Sequence, residues 1–205
     1  HPSALIPPLL LLITDRTAYP APFEETIASA LRGGVNAVML REKDLSAREL
    51  YALAVRLRML TRDAGAQLII NDRLDVALAV EADGVHLGWR SLPLKAARAV
   101  TGNRLQIGVS THSAEEAQQA ERDGADYITF SPIFPTPSKE GLVPVQGLDG
   151  LRAATNGLLI RCIALGGITP ENTQSVCAAG AAGVAAIRPF ATDPEETANR
   201  FHQAL

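Results

Sequence analysis

The chain has 205 residues, of which 47% are apolar, and a net charge of −3, so it can bury one sizeable core. Its acidic and basic residues are interspersed, which excludes the charged surface that nucleic acid or an anionic membrane requires. The longest apolar stretch, from Leu9 to Ile13, is too short to span a bilayer. The two cysteines, Cys162 and Cys177, lack metal-type spacing and indicate a reducing compartment. We therefore expect a single cytoplasmic domain over residues 1–205 whose partner is a small molecule.

Eight short apolar runs follow one another along the chain and predict eight strands. They are LLLLIT from Leu9, RGGVNAVML from Arg32, QLIIND from Gln67, EADGVHLG from Glu81, LQIGVST from Leu105, RDGADYITF from Arg122, RCIALGG from Arg161 and AAGAAGVAAI from Ala178. In the runs from Arg32, Glu81, Arg122 and Ala178, small residues, mostly glycine, separate a helix-like stretch from the apolar residues. Such small residues are typical of the end of a helix.

Helix signals fall between these runs. Ser46-x-x-Glu49 and Ser113-x-x-Glu116 match capping boxes, while Thr169-Pro170 and Asp193-Pro194 place proline at the first helical position. Near-continuous apolar strands favour a parallel sheet that is buried on both faces, and eight βα units in so short a chain favour a closed (β/α)8 TIM barrel. An open doubly wound sheet is the alternative. No dinucleotide or P-loop motif supports a nucleotide site.

In such a barrel the chemistry lies where the strands end. Polar residues and glycines close the predicted strands, namely Thr14, Asp15, Arg41, Glu42, Lys43, Asn71, Asp72, Arg73, Gly88, Thr111, His112, Ser131, Gly166, Gly167 and Arg188. The GGIT segment at Gly166 precedes a proline-started helix, and its backbone amides suit a phosphate. The sequence SPIFPTPSKEG after the sixth run predicts a loop that closes over a ligand.

Six segments in succession resemble the motifs of the thiamine phosphate synthase and TenI superfamily. They are LLLITDR, VMLREKD, INDRLDVALAVEADGVHLG, IGVSTHS, GADYITFSPIFPTPSKEG and IALGGITPEN, and they cover nearly the whole chain in order. The resemblance implies a TIM barrel that joins or processes thiamine precursors. One branch of the superfamily couples a pyrimidine diphosphate to a thiazole phosphate with magnesium, and the other is a cofactor-free thiazole tautomerase.

Two departures from the synthase motifs favour the tautomerase branch. Met39 stands where the synthase motif has a glutamine, and Ser91 stands where it has an aspartate that binds magnesium. Asp72 matches the other metal-associated aspartate, but Mg²⁺ commonly takes more than one carboxylate. We therefore predict a thiazole tautomerase that uses no metal and no cofactor.

The resemblance also implies a substrate site on this chain. Residues matched to substrate binding are Arg41, Lys43, Asn71, Asp72, Ser110, Thr136, Ser138, Lys139, Gly167, Ile187 and Arg188. The last six of these match the side that binds a thiazole phosphate. Arg188 replaces an expected serine, and an arginine there either strengthens phosphate binding or obstructs the backbone cradle.

His112 is the predicted catalytic residue. A tautomerase must take and return a proton near neutral pH, and histidine is the side chain suited to that task. The helix start at Ser113 favours the neutral imidazole, which can act as a base. The structural alternative is that His112 anchors the junction between strand and helix.

Several readings stay open at this point. Magnesium-dependent thiamine phosphate synthase, a transferase, is the first alternative function, and a non-catalytic phospholigand-binding regulatory barrel is the second. Homo-oligomers are common among such barrels. His86 is interpreted as a hydrogen-bonded core histidine, Glu42 as the partner of a nearby cation, and Trp89 as either a ligand lid or ordinary packing.

Overall fold

Eight parallel strands pair in chain order and close into a barrel, because β8 pairs back to β1. The computed structural model describes residues 9–19, 22–136 and 143–205. The strands are β1 Leu9–Ile13, β2 Ala37–Leu40, β3 Gln67–Asn71, β4 Gly84–Leu87, β5 Gln106–Thr111, β6 Tyr127–Phe130, β7 Arg161–Leu165 and β8 Gly183–Ala186. The closed order confirms the predicted (β/α)8 barrel and excludes the open sheet.

A helix follows each strand and covers the outside of the barrel. The helices are α1 Phe23–Arg32, α2 Ala47–Asp63, α3 Leu74–Ala79, α4 Leu94–Thr101, α5 Ala114–Arg122, α6 Gly147–Thr155, α7 Pro170–Ala178 and α8 Pro194–Ala204. A short 3₁₀ helix, Arg188–Ala191, precedes α8. Within the described ranges, no helix combines the length and the apolar composition needed to cross a membrane.

Strand alternation divides the apolar residues between two cores. On β1, Leu9, Leu11 and Ile13 belong to a cluster inside the barrel, whereas Leu10 and Leu12 pack in the layer between strands and helices. Successive side chains of a strand point to opposite faces, and here both faces are buried. This burial on both sides is why the strand sequence is continuously apolar.

Three of the four predicted helix starts form as expected, and one differs in part. Ser46 and Glu49 make a full capping box, and Asp193 accepts a hydrogen bond from the N–H of Glu196. Ser113 also caps its helix, accepting from the N–H of Glu116 at 3.2 Å. The carboxylate of Glu116, however, accepts from the backbone N–H of His112 at 2.7 Å instead of completing the box. The end of β5 is therefore tied to the start of α5 through His112.

Candidate active site

A cavity of about 780 Å³ opens at the C-terminal ends of the strands, where the chemistry of this fold is expected. Every one of the eight strand ends contributes to its lining. Ten of the predicted site residues line it, namely Arg41, Lys43, Asn71, Asp72, Ser110, His112, Thr136, Gly167, Ile187 and Arg188. Ser138 and Lys139 lie outside the described residues, so their assignment stays a prediction.

One side of the cavity carries a group of cations, defined here as Arg41, Lys43 and Arg90. None of the three forms an ion pair with a carboxylate among the residues described. The Arg41 guanidinium lowers the pKa of Lys43, burial and Arg90 lower it further, and Asp72 opposes them. The group therefore holds excess positive charge, which suits an anion with several charges.

Arg90 stacks on Trp89 at the rim of this side. The guanidinium carbon lies 4.6 Å from the centroid of the indole ring, and Trp89 is 84% exposed. The indole is thus open to solvent, and stacking on it holds the Arg90 guanidinium in position at the mouth of the cavity. This geometry excludes ordinary core packing for Trp89.

Asp72 is held at the end of β3 by its backbone. Its φ of 68° turns the chain, and its N–H donates to the carbonyl oxygen of His86 at 2.8 Å. Ser91 lies on the same side, and its hydroxyl accepts from the N–H of Gly88 at 2.8 Å. Across the described ranges, no group of three or more acidic, histidine or cysteine side chains could hold a metal. Mg²⁺ needs only one or two protein carboxylates when substrate phosphates supply other ligands. The Asp72 carboxylate therefore fits a Mg²⁺ ion that a phosphorylated substrate helps to hold.

The opposite side of the cavity offers backbone amides. The segment from Gly166 to Thr169 connects β7 to α7, and Asn172 fixes it by donating to the carbonyl oxygen of Gly167 and accepting from the N–H of Thr169, both at 2.9 Å. Among the described residues, the N–H groups of Gly167 and Ile168 have no hydrogen-bond partner. Unpaired amides just before a helix suit a phosphate.

Gly167 is required for a reason that we did not predict. An added Cβ would lie 2.7 Å from the Cβ of Phe134 and 2.9 Å from the carbonyl oxygen of Pro135. Its φ of 66° also favours glycine. Phe134 further donates its N–H to the carbonyl oxygen of Gly166 at 2.9 Å. Gly167 therefore lets the loop after β6 pack against the phosphate segment.

Arg188 lies beside this segment, after β8. Its side chain is exposed at the cavity and makes no ion pair within the described part of the chain. The loops after β7 and β8 form the phosphate site of many barrels, often with a short extra helix such as the one that begins at Arg188. The position suits an arginine that adds to the backbone cradle.

The hydrogen bonds of His112 determine its tautomer. Nδ1 lies 2.7 Å from the carbonyl oxygen of Ser131, and because a carbonyl oxygen only accepts, Nδ1 carries the hydrogen. In the neutral ring Nε2 is therefore the nitrogen with the lone pair, and the residue lines the cavity. His112 thus lies in the cavity and also anchors the junction of strand and helix.

The structural interpretations of His86 and Glu42 are confirmed, and two residues of the site were missed. His86 is buried in the barrel and hydrogen bonded on both ring nitrogens, and Glu42 is buried against Arg16. Met39 belongs to the apolar cluster inside the barrel. Arg90 and Thr129 line the cavity but were not predicted as site residues, although the alternation of inward residues along β6 indicates Thr129.

In its described residues the barrel has backbone amides without a partner after β7 and a cation group across the cavity from them, an arrangement that suits phosphorylated small molecules. The family model described as thiamine monophosphate synthase matches residues 10–190. A thiamine-phosphate synthase of Moorella thermoacetica is 46% identical over 96% of this chain and 95% of its own length. One from Syntrophomonas wolfei is 43% identical over 95% of this chain and 94% of its own. The solved thiamine phosphate pyrophosphorylase of Pyrococcus furiosus superposes with a TM-score of 0.89 at 37% identity, covering 99% of this chain and 96% of that one. The chain belongs to the thiamine monophosphate synthase family.

Our prediction of a thiazole tautomerase is wrong. The relatives at 43% and 46% identity are named synthases, and so is a relative from Chlorobium luteolum at 48%. The structure also explains the error. Met39 is a core residue, Ser91 caps its own turn, and neither removes the neighbouring cations. The acid/base role of His112 was argued for the isomerase; the residue lines the cavity, and its catalytic role stays a prediction.

Proposed function

We propose that the protein is a thiamine-phosphate synthase, a transferase that joins a pyrimidine diphosphate to a thiazole phosphate. The carrying observation is that one cavity holds two separate anion-binding regions. The cation group lies at the ends of β2 and β4, and the amide segment lies at the end of β7, across the barrel. Two phosphorylated substrates can therefore be bound with their reacting ends toward each other.

The apolar wall between these regions suits the reacting ring systems. Ile13, Met39, Leu165 and Ala185 line the floor of the cavity. The proposed reaction breaks the bond between the pyrimidine methylene carbon and the diphosphate oxygen and forms a bond from that carbon to the thiazole nitrogen. A floor that excludes water protects the activated carbon from hydrolysis.

The cation group is proposed to stabilise the leaving diphosphate. Arg41, Lys43 and Arg90 face a group whose negative charge grows as the bond breaks, and fixed charges aimed at developing charge stabilise a transition state. On the other side, the amides of Gly167 and Ile168, together with Arg188, hold the thiazole phosphate, and Thr136 lies beside them.

Magnesium fits this arrangement through the Asp72 carboxylate. When bound, Mg²⁺ would supply charge neutralisation to the diphosphate. Asp72 would hold the ion, and the cation group would bind the same diphosphate directly. The absence of cofactor that we predicted belonged to the tautomerase interpretation and is not retained. The predicted homo-oligomer stays a prediction.

The direct test is to incubate the purified protein with both substrates, with and without Mg²⁺, and to follow thiamine phosphate and pyrophosphate by ³¹P NMR. Arg41→Ala should lower kcat/KM roughly 10- to 100-fold, since a hydrogen bond to a charged group contributes about 1.5–3 kcal/mol. Arg62→Ala, on the exposed face of α2, is the matched control and should leave the rate unchanged. Binding of both substrates without any turnover would refute the synthase proposal and indicate a non-catalytic barrel.

A further inference from the structure

A line of hydrogen-bonded side chains runs from the barrel interior to the floor of the cavity. Tyr127 of β6 lies 3.2 Å from Nδ1 of His86 on β4, and Nε2 of His86 lies 2.9 Å from the hydroxyl of Ser110 on β5. The hydroxyl of Thr129 is also 3.3 Å from Nε2. The two ends of this line differ, because Tyr127 is fully buried and Ser110 lines the cavity.

The strand register explains how Tyr127 reaches across a strand to His86. His86 pairs with Gly108, and Gly108 pairs with Tyr127, so the three residues occupy one level of the barrel. An added Cβ on Gly108 would lie 2.0 Å from the ring carbon Cζ of Tyr127. The absent side chain therefore makes the space through which the tyrosine ring passes.

The chemistry of the groups fixes the direction of the hydrogen bonds. A buried tyrosine hydroxyl donates its hydrogen, and in the described residues Nδ1 of His86 is its acceptor. Burial raises the pKa of Tyr127, so the hydroxyl keeps its hydrogen. His86 is buried, and its ring nitrogens contact hydroxyl groups with no carboxylate beside them among the described residues, so the imidazole is neutral and has a single N–H. That hydrogen lies on Nε2, which donates to Ser110.

We propose that Tyr127 and His86 are positioning residues that fix the Ser110 hydroxyl as a hydrogen-bond donor toward a phosphate or diphosphate oxygen in the cavity. Ser110 accepts from His86, so its own hydrogen is left for the ligand. The opposite tautomer would accept the serine hydrogen and turn an oxygen lone pair toward the anion. The identity of the anion rests on the proposed function, whereas the direction of the hydrogen bonds does not.

The first measurement is the tautomer of His86. Ring ¹⁵N NMR on histidine-labelled protein distinguishes a protonated from an unprotonated ring nitrogen. We expect Nε2 to carry the hydrogen from pH 5 to 8 in the wild-type protein. A hydrogen on Nδ1, or a doubly protonated ring in that pH range, would overturn the proposal. The NMR measurement requires neither a variant protein nor an activity assay.

The second measurement tests whether the effect passes through Ser110, with inorganic pyrophosphate as the titrated ligand. Ser110→Ala should weaken binding roughly 10-fold or more, as expected for a donor to a charged group. Tyr127→Phe keeps the ring and removes the hydroxyl, so both tautomers of His86 should appear and binding should weaken by a smaller factor. In the Ser110→Ala background, Tyr127→Phe should have no further effect.

Tyr51→Phe, at an exposed position on α2, is the matched control and should change neither readout. If Tyr127→Phe weakens pyrophosphate binding equally with and without Ser110, the two positioning residues do not act through that hydroxyl and the proposal fails. A wild-type protein that binds pyrophosphate but makes no thiamine phosphate would refute the proposed function and leave this inference standing.

Discussion

Replacing Gly167 by alanine should damage both the stability of the protein and the proposed phosphate site. The residue has a φ of 66°, and an alanine Cβ would lie within 3 Å of Phe134 and Pro135 in the loop after β6. That loop and the Gly166–Thr169 segment form one wall of the cavity. Because both contacts are made by groups close to the backbone, the loop must move to admit the methyl group.

The magnitude follows from two separate terms. A non-glycine residue in left-handed backbone costs about 1–2 kcal/mol, and forcing a methyl group into packed structure typically costs about 1–3 kcal/mol more. Gly65 isolates the first term, since its φ is 65° and nothing lies within 4 Å of its added Cβ. Gly65→Ala should therefore lower the free energy of unfolding by about 1–2 kcal/mol, and Gly167→Ala by about 2–5 kcal/mol.

Thermal unfolding and phosphate titration together test this reasoning. In a protein of this size about 1 kcal/mol shifts Tm by roughly 2–4 °C, so Gly167→Ala should melt roughly 2–12 °C below Gly65→Ala. Calorimetric titration with inorganic phosphate should show weaker binding for Gly167→Ala alone. Equal melting temperatures and equal phosphate affinities for the two variants would show that the contact with the loop is unimportant.

Three further predictions concern the barrel interior, the phosphate arginine and the response to acid. Gly108→Ala should lower the free energy of unfolding, measured by urea denaturation, by about 1–3 kcal/mol, because the new Cβ would overlap the Tyr127 ring. The control Gly88→Ala should leave the free energy of unfolding unchanged, because its Cβ meets no other atom within 4 Å. Equal losses in the two variants would contradict the steric argument. Arg188→Ala should raise the KM for thiazole phosphate roughly 10-fold at low salt and less at high salt, and an unchanged KM would make the arginine structural. Burial lowers the pKa of His86 to about 3 in the folded protein, against 6.5 in the unfolded chain. Between these two pH values the unfolded chain binds one more proton than the folded protein. The free energy of unfolding therefore falls by about 1.4 kcal/mol for each pH unit as the pH drops through this range. Denaturant titrations from pH 6.5 to 4 should show this slope reduced in His86→Gln and kept in His202→Gln, and identical slopes would refute it.

The fold could be predicted because its main determinants are local. The run LLLLI is apolar at every position, and only a strand buried on both faces accounts for that. Capping residues such as Ser46 and Asp193 then place helices between the strands. Eight repeats of one local unit leave few architectures, so closure followed without any knowledge of long-range contacts.

The candidate site could be predicted only to the level of position. Strand ends meet at one face of a barrel, so polar residues such as Arg41, Ser110 and Arg188 could be assigned to one cavity. What could not be predicted depends on contacts between separate loops. The loop after β6 that packs on Gly167 has no signature in the local sequence around Gly167.

The incorrect choice between tautomerase and synthase has a physical cause that applies to other charged sites. Loss of the glutamine at Met39 and of the aspartate at Ser91 was weighed as if each polar group were indispensable. An anion site built from several cations distributes its attraction over all of them, and Arg41, Lys43 and Arg90 all line the cavity while none is neutralised by an ion pair within the described residues. One carboxylate is also sufficient for Mg²⁺ when the substrate itself supplies phosphate oxygens. Two substitutions in such a site therefore change the strength of binding more readily than they change the reaction.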